Sequence, residues 1–367
     1  MSYPLRPPRP NKMESSHPSS RPITPAEHGF TVPPMAITPN YLRAPLHSEA
    51  DTGLRGKLLP AQWPYPQHLH THQPGHQFVL VTGATQGIGA EIVTSLMSKG
   101  HTVVTHYRDD AGREQLAKLC REVSHDAANA LHYAPMICTR LDLTDARPSR
   151  EGASKLVEFS QWMSERVPKL DAIVLNAGES GLRWKGWFER HLMTNLWIAS
   201  TSAMLRLCVD HLHDFDEKDH LRGRVLYVSS ALADAPIEGL KSYHKIKNAG
   251  EKFLNRFFYP RGIFRDDTIK DILAFTVRPG SVDTRLHRVD CLSHGTDETR
   301  ARTAKLIQNG GLRSPDIIGR MIASMATTGC VWDPKMRDLL RPVERLERVE
   351  ISEEAYQSFR NSASLPG

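Results

Sequence analysis

The chain has 367 residues, of which 24% are charged and 40% hydrophobic, so it is long enough for one large α/β domain with extensions or for two smaller domains. Its net charge of +6 comes from lysines and arginines spread along the chain, which argues against a nucleic-acid-binding surface. The five cysteines lie far apart without a C-x-x-C pair, which argues against a zinc ribbon or a disulfide framework and favours a reducing compartment.

Residues 1–76 differ in composition from everything after them. They contain well over half of the chain's 25 prolines, so we predict a disordered extension that cannot bury enough surface to offset the entropy of folding. Arg6, Arg9 and Arg21 leave an organelle-targeting peptide open, but the prolines disfavour the amphipathic helix of such peptides. Because no apolar run approaches the roughly 20 residues of a transmembrane helix, we expect a cytoplasmic protein without a membrane span.

The stretch from residue 78 to residue 92 has the pattern of a strand, a tight turn and a helix. Phe78–Val81 is a short apolar strand, and Ile88, Ile92 and Leu96 recur at helical spacing. Glycines in such a turn let the backbone approach a pyrophosphate, and the helix N-terminus offers it free N–H groups. An ordinary strand-to-helix turn is the alternative. The predicted cofactor contacts here are Thr82, Gly83, Thr85, Gln86, Gly87, Ile88 and Gly89.

The end of the second predicted strand, at Tyr107 and Arg108, bears on the choice of cofactor. In a doubly wound sheet this position meets the adenosine ribose, where an acidic residue binds the 2′-hydroxyl of NAD and a basic one accommodates the 2′-phosphate of NADP. A guanidinium can donate two hydrogen bonds to a phosphate. Arg108 therefore favours NADP(H) over NAD(H), the alternative being a solvated arginine at the end of a strand.

Short apolar strands alternate with helical stretches along the rest of the chain. Strand patterns recur within 136–145, at 170–175, at 224–230 and at 272–277, with helical stretches such as 113–123 and 243–257 between them. This alternation is typical of α/β proteins whose parallel strands carry helices on both faces. We predict a Rossmann-like doubly wound parallel sheet flanked by helices in one domain at 77–367.

The region after the sixth predicted strand shows weaker patterns. Residues 285–313 are polar and are predicted to be flexible, which makes them a candidate lid over a substrate. Ser314 followed by Pro315 indicates the start of a helix. A last strand is predicted at 330–332, and a capped terminal helix at 352–362.

Four polar residues follow one another at informative positions. Asn195 lies in a helical stretch, Ser230 ends the fifth strand, Tyr243 comes thirteen residues later, and Lys247 is four residues farther on. Each alone could be structural. With T-G-x-x-x-G-x-G upstream and a Pro-Gly pair at 279–280 downstream, the conjunction over about 77–340 resembles the short-chain dehydrogenase/reductase family.

The resemblance implies a catalytic role for each of the four residues. Tyr243 would be the general acid and base, and Lys247 would lower the pKa of its phenol and hydrogen-bond the nicotinamide ribose. Ser230 would hold the substrate carbonyl as an oxyanion-type donor. Asn195 would support a water that relays protons to Lys247.

The resemblance also assigns cofactor contacts to three strand ends. In the family these ends approach the adenine, the middle of the cofactor and the nicotinamide. The sequence has Leu175 where the family usually has a second asparagine, so one sheet-stabilising side-chain contact is in doubt. The contacts implied are Asp142, Asn176, Ala177, Gly178, Pro279, Gly280, Val282 and Thr284, besides Tyr243 and Lys247.

Two functions from different classes fit these observations. The first is an NAD(P)(H)-dependent oxidoreductase that interconverts a small-molecule carbonyl compound and an alcohol by hydride transfer, without a metal. The second is a non-catalytic nucleotide-binding subunit of a larger assembly, whose docking arm would be the N-terminal extension. The resemblance further implies a homodimer, while the substrate depends on the loops at 179–187 and 285–313 and cannot be named.

Overall fold

The computed structural model describes residues 76–127, 136–144, 150–167, 169–212, 223–258, 272–328 and 347–363. In these residues seven strands form one sheet with the order β3-β2-β1-β4-β5-β6-β7, and all neighbouring strands are parallel. The strands are β1 Phe78–Val81, β2 Thr102–Tyr107, β3 Met136–Arg140, β4 Ala172–Leu175, β5 Arg224–Val228, β6 Leu273–Arg278 and β7 Glu347–Glu350.

Helices cover both faces of this sheet. The central strands β1, β2, β4 and β5 are buried at every position, which explains why they are continuous apolar runs and not alternating patterns. The Rossmann-like doubly wound sheet is therefore confirmed. The helices are α1 Gly87–Ser98, α2 Asp110–Ala127, α3 Arg150–Ser164, α4 Gly186–Cys208, α5 Lys241–Phe258, α6 Leu292–His294, α7 Asp297–Gln308, α8 Pro315–Thr328 and α9 Glu353–Ala363.

The order of the strands reverses between β1 and β4: the chain adds β2 and β3 on one side of β1, and β4 and the later strands on the other. Such a reversal leaves a crevice at the carboxyl ends of the two strands, and ligands of doubly wound sheets bind there. The glycine turn after β1 lies at this point, between β1 and α1. The fold therefore puts the predicted cofactor contacts and the ends of β4, β5 and β6 on one edge of the sheet.

The predicted N-terminal extension lies outside the described residues, except for its last residue. The ring nitrogens of His76 are hydrogen-bonded to the carbonyl oxygen of Gly100 at 2.8 Å and to the hydroxyl of Thr102 at 3.1 Å. The His76 ring also contacts Phe78 edge-on. The folded domain therefore includes His76.

The edge strand β7 was not predicted from the sequence. Its residues read Glu-Arg-Val-Glu, and Val349 is the member that is buried in the core. The strand pairs with β6, and the amide of Ile351, just after β7, donates to the carbonyl of Arg278 at 3.1 Å. The strand predicted at 330–332 lies outside the described residues.

The candidate lid at 285–313 is helical. It begins as a π-helix, Leu286–Cys291, and continues through α6 and α7 to Arg313, whose backbone bridges to Val282. Arg313 also donates to the carbonyl of Ile351, so the C-terminal end of the segment is fixed to the body of the domain. Its role as a lid stays a prediction.

Helix α4 is the longest helix in the described part of the chain. Together with the turn that follows, to His211, it is long and apolar enough by composition to cross a membrane, and it is the one helix in the described ranges that meets this test. However, 44% of its most apolar window is buried inside the domain. The buried residues pack with α5 and α3, as in the core helix of a globular protein.

Candidate active site

A pocket of about 520 Å³ lies at the carboxyl edge of the sheet, where the strand order reverses between β1 and β4. Its lining brings together most of the predicted site residues from separate parts of the sequence. Ser230, Tyr243 and Lys247 line it at one end, and Arg108 and Asp142 line it too. The other predicted cofactor contacts in its lining are Gly83, Thr85, Gln86, Gly87, Ile88, Asn176, Ala177, Gly178, Pro279, Gly280, Val282 and Thr284.

Thr82 and Gly89 were predicted as cofactor contacts, but they lie behind the pocket wall. The buried hydroxyl of Thr82 accepts hydrogen bonds from the backbone amides of Asn176 at 3.1 Å and Ala177 at 3.0 Å. In return, the side-chain amide of Asn176 donates to the carbonyls of Thr82 and Gly83 at 3.2 and 3.1 Å. Thr82 and Asn176 thus join the ends of β1 and β4 and fix the glycine turn.

The glycines of the turn are required by space. A Cβ on Gly89 would lie 2.1 Å from the carbonyl oxygen of Gly83, and one on Gly83 would lie 2.8 Å from the Cα of Ala177. Gly87 has a φ of +57°, in the left-handed region. Gln86, just before α1, makes no side-chain capping bond, so the first amides of the helix are available to a phosphate. These features fit the pyrophosphate of a dinucleotide.

At the end of β2 the structure separates Tyr107 from Arg108. Tyr107 is packed into the core, whereas Arg108 is exposed and its Nε donates to Asp109 at 3.1 Å. The Asp109 carboxylate also accepts from the amide of Gly112 at 2.8 Å. After β3, Asp142 accepts from the amide and hydroxyl of Thr144 at 2.8 and 2.7 Å, which holds its carboxylate at the pocket.

Tyr243 and Lys247 lie one turn apart at the start of α5, opposite the end of β5. The buried ammonium of Lys247 donates to the carbonyl of Val228 at 2.7 Å and lies 5.6 Å from the centre of the Tyr243 ring. The hydroxyl of Ser230 hydrogen-bonds that of Tyr243. A Cβ on Gly178 would lie 3.1 Å from the Lys247 nitrogen, so the glycine leaves room for the ammonium.

Burial moves the pKa values of this pair apart. It raises the pKa of the Tyr243 phenol from 10.0 to about 12, although the hydrogen bond with Ser230 opposes the shift. It lowers the pKa of the Lys247 ammonium from 10.5 to about 8, against the attraction of the Glu251 carboxylate. At neutral pH the tyrosine is therefore protonated and able to donate a proton, and the lysine is charged beside it.

Asn195 is not brought to this site. Its side chain is exposed on α4 and is hydrogen-bonded to the ring of His191 at 3.1 Å, one turn earlier. The neighbours Thr194, Leu196 and Trp197 occupy the buried face of the helix, and Trp197 lines the pocket. The angular position of Asn195 on α4 turns it toward solvent in this arrangement, and the relay role expected for it stays a prediction.

The loop after β4 and the π-helix form a second wall of the pocket, within the two segments expected to decide the substrate. Sequence reasoning missed the ion pair that joins them. Arg183 donates two hydrogen bonds to Asp290, at 2.9 and 2.7 Å, and the hydroxyl of Ser180 donates to the same carboxylate at 3.4 Å. Arg183 and Ser180 precede Asp290 by 107 and 110 positions, and the three residues belong to no motif. The remaining lining is mixed. Its apolar members are Leu232, Ile237, Leu240, Leu286, Cys291 and Leu306, and its polar members from the candidate lid include Arg285, His287, Thr299, Arg302 and Thr303.

Comparisons with known proteins agree with this geometry. Residues 77–290 match the family model of short chain dehydrogenases. A benzil reductase ((S)-benzoin forming) of Saccharomyces cerevisiae is 25% identical over 268 residues, which are 68% of this chain and 90% of the relative.

Two solved structures share the fold. A short chain dehydrogenase/reductase from Saccharomyces cerevisiae aligns with a TM-score of 0.55 and 19% identity, over 77% of this chain and 99% of that one. The L-sorbose reductase of Gluconobacter frateurii, solved with NADPH and L-sorbose, aligns with a TM-score of 0.55 and 16% identity, over 75% and 95% of the two chains. At these identities the likeness concerns the fold alone.

Replacing Thr82 by Val keeps the shape of the side chain but leaves the amides of Asn176 and Ala177 without their acceptor. We expect the free energy of unfolding, measured in urea, to fall by about 1–3 kcal/mol. Thr94→Val is the matched control, because the Thr94 hydroxyl bonds a carbonyl within its own half-buried helix turn. An equal loss in both variants would contradict the role of Thr82 in joining β1 to β4.

Proposed function

The chain belongs to the short-chain dehydrogenase/reductase family, and on that premise we propose that it is an NADP(H)-dependent reductase of small-molecule carbonyl compounds. The observation that carries the proposal is the position of Ser230, Tyr243 and Lys247 at one end of a pocket that also contains the glycine turn. A group that supplies protons and a site that fits a dinucleotide thus share one cavity.

The chemistry follows from the three side chains. The bound nicotinamide cofactor supplies the hydride. The Ser230 hydroxyl donates a hydrogen bond to the carbonyl oxygen and stabilises its developing charge. Tyr243 gives its proton to the same oxygen, and the nearby Lys247 ammonium stabilises the phenolate that remains. Since Asn195 faces solvent, we propose no asparagine-supported relay for the return of the proton to Tyr243.

Arg108 supports NADP(H) as the cofactor. It lines the pocket at the end of β2, and its ion pair with Asp109 engages Nε, which leaves the two terminal nitrogens for a phosphate. Asp109 is the acidic residue nearest this position, and it keeps NAD(H) as the second candidate. Its carboxylate already accepts hydrogen bonds from Arg108 and Gly112, which favours the phosphate.

The apolar wall around the reacting end supports an apolar ketone or aldehyde as the substrate. Leu232, Ile237 and Leu240 come from the segment after Ser230, and Leu286 and Leu306 from the candidate lid. These side chains favour an aromatic or aliphatic carbonyl compound, beside the polar Thr299, Arg302 and Thr303 of the same lining. The yeast relative named benzil reductase makes benzil the first substrate to test, with L-sorbose as the polar comparison.

A non-catalytic nucleotide-binding subunit remains the second candidate. The observation that favours it is the exposed position of Asn195, since the expected set of four residues is incomplete in the pocket. The two candidates differ in turnover. A protein that binds NADPH tightly but reduces none of a panel of reactive carbonyl compounds would support the non-catalytic function.

Replacing Tyr243 by Phe removes the proton donor and keeps the ring. We expect the rate of NADPH-dependent carbonyl reduction to fall about 10²–10⁴-fold, with NADPH affinity nearly unchanged. Turnover and a fluorescence titration of the cofactor measure the two effects. Tyr356→Phe is the matched control, because Tyr356 lies outside the pocket and accepts a hydrogen bond from the amide of Ser314. Near-full turnover in Tyr243→Phe would refute the assigned role.

Replacing Arg108 by Ala tests the choice of cofactor. The loss of a charge-assisted contact of roughly 1.5–3 kcal/mol should weaken NADPH binding about ten- to a hundred-fold and NADH binding much less. The control is Arg113→Ala, which removes an arginine of α2 that does not line the pocket. Equal losses for NADPH and NADH in the Arg108 variant would contradict a phosphate contact.

We also propose that the protein is cytoplasmic and that a second copy covers the start of α4. Trp187 and Phe188 are 77% and 73% exposed, and Leu192 on the next turn is 39% exposed. Apolar groups so open to water, on neighbouring turns of one helix, indicate an interface. We expect a dimer by light scattering and a monomer for Phe188→Glu. Val157→Glu, which changes an exposed apolar residue of α3, should stay dimeric; dissociation of both variants or neither would contradict this interface.

A further inference from the structure

A cluster of buried charges lies directly behind the catalytic end of the pocket. The guanidinium of Arg278 donates to both carboxylate oxygens of Glu251, through Nε and one terminal nitrogen, each at 3.0 Å. Both side chains are only 3% exposed. Arg278 also donates to both oxygens of Asp234. The Glu251 carboxylate in turn accepts a hydrogen bond from the hydroxyl of Ser229 at 2.6 Å.

The members of the cluster are direct neighbours in sequence of the proposed site residues. Ser229 precedes Ser230 at the end of β5, and Arg278 precedes the Pro-Gly pair at 279–280. Asp234 ends the short turn that Ser230 begins. Glu251 lies one helical turn after Lys247 on α5. Each element that carries a proposed catalytic group is therefore joined to one ion-paired centre.

Strand β7 completes the cluster from the edge of the sheet. Arg348 contacts Glu251 at 3.0 Å and Asp234 at 3.3 Å, and Glu350 contacts Arg278 at 3.3 Å. With Lys247 next to it, the cluster contains three cationic and three anionic side chains. Its charge is therefore balanced only when Lys247 carries its proton, provided that the arginines and carboxylates stay ionised.

Stability alone does not account for such a cluster. The cost of removing charges from water often exceeds the gain from pairing them, and apolar residues of similar volume can be equally stable. The ion pairs hold the elements that carry them in a fixed arrangement and create a fixed electric field around Lys247. Arg278 and Glu251 hold the ends of β5 and β6 against α5, because Arg278 ends β6 and the Glu251 carboxylate on α5 also binds Ser229 at the end of β5.

We propose that Glu251 is a positioning residue that keeps Lys247 charged and in place for catalysis. Its support for Lys247 comes from geometry: the carboxylate is buried one turn away on the same helix and is itself fixed by Arg278, Arg348 and Ser229. The proposal rests on the function proposed above.

The surroundings of Lys247 make Glu251 important. On the side of β5 the ammonium contacts the carbonyl of Val228 and lies 5.1 Å from the centre of the Tyr227 ring. On its own helix α5 it lies near the ring of Tyr243. Gly178 approaches it from the loop after β4. Tyr243 in turn is near the Cys291 thiol of the π-helix. Within the described residues, Glu251 is the carboxylate that offsets the burial of Lys247, whose pKa is already lowered to about 8.

Glu251→Gln tests the proposal, because it keeps the shape of the side chain and an acceptor for Ser229 but removes the charge. The pKa of Lys247 should fall, since its burial is then less well compensated, and the lysine should lose its proton at a lower pH. We measure the dissociation constant of NADPH and the reduction rate from pH 5.5 to 10. The alkaline limb of both profiles should move down by about one pH unit.

Glu350→Gln is the matched control. Glu350 contacts the same guanidinium at 3.3 Å, but it is 69% exposed and lies on β7, away from Lys247. We expect the alkaline limb of its NADPH-binding and reduction-rate profiles to stay at the wild-type pH. The proposal would be overturned if the alkaline limbs of Glu251→Gln stayed at the wild-type pH, or if both variants shifted equally. Glu251 would then have a structural role only.

A second variant covers the case in which Glu251→Gln does not fold. The double variant Glu251→Gln, Arg278→Gln removes one charge of each sign and so avoids an unpaired buried arginine. Its downward shift should be smaller than that of Glu251→Gln, because a cation near Lys247 is removed together with the carboxylate, and an unshifted limb would again overturn the proposal. The binding profile also separates this inference from the proposed function. A wild-type protein that binds NADPH but reduces no carbonyl refutes the enzyme, whereas an unshifted binding limb in the variant refutes the role of Glu251.

Discussion

A buried ammonium group sets the main constraint on this protein. Lys247 is 3% exposed, and a charge removed from water is tolerated only where protein groups replace its hydration. The carbonyl of Val228 and two tyrosine rings supply that replacement, and the carboxylate of Glu251 favours the charge from one helical turn away. Strand β5 and helix α5 must therefore approach closely, and Gly250 permits this, because a Cβ there would lie 2.3 Å from the hydroxyl of Tyr227.

Most of the fold could be predicted because its signals are local. A strand that is buried on both faces is a continuous apolar run, and Phe78–Val81 was predicted with the bounds that the structure shows. The parallel sheet followed from the alternation of such runs with helical stretches. Ser230, Tyr243 and Lys247 were found because their spacing in the chain reflects one strand end and one helix turn, which the structure brings to a single pocket.

The features that the sequence did not reveal depend on contacts between distant residues. Asn195 has a familiar sequence context, but its exposure is decided by how α4 is rotated against the sheet. The strand β7 looks polar because one of its faces carries ion pairs, with Arg348 and Glu350 engaged behind the active site. The pair of Arg183 and Asp290 spans 107 residues, and each member alone resembles an ordinary surface charge.

The cluster around Arg278 is assembled from distant parts of the chain, which has a consequence for biosynthesis. Arg348 pairs with Asp234 across 114 residues, and Glu350 pairs with Arg278 across 72. A nascent chain that has emerged only as far as β6 already contains the glycine turn and the tyrosine–lysine pair. In such a chain Arg278 still lacks its ion pair with Glu350 and the hydrogen bond that the backbone amide of Ile351 donates to its carbonyl. The contacts that complete the cluster behind the catalytic end of the pocket therefore form late in synthesis, after the edge strand β7 has emerged from the ribosome.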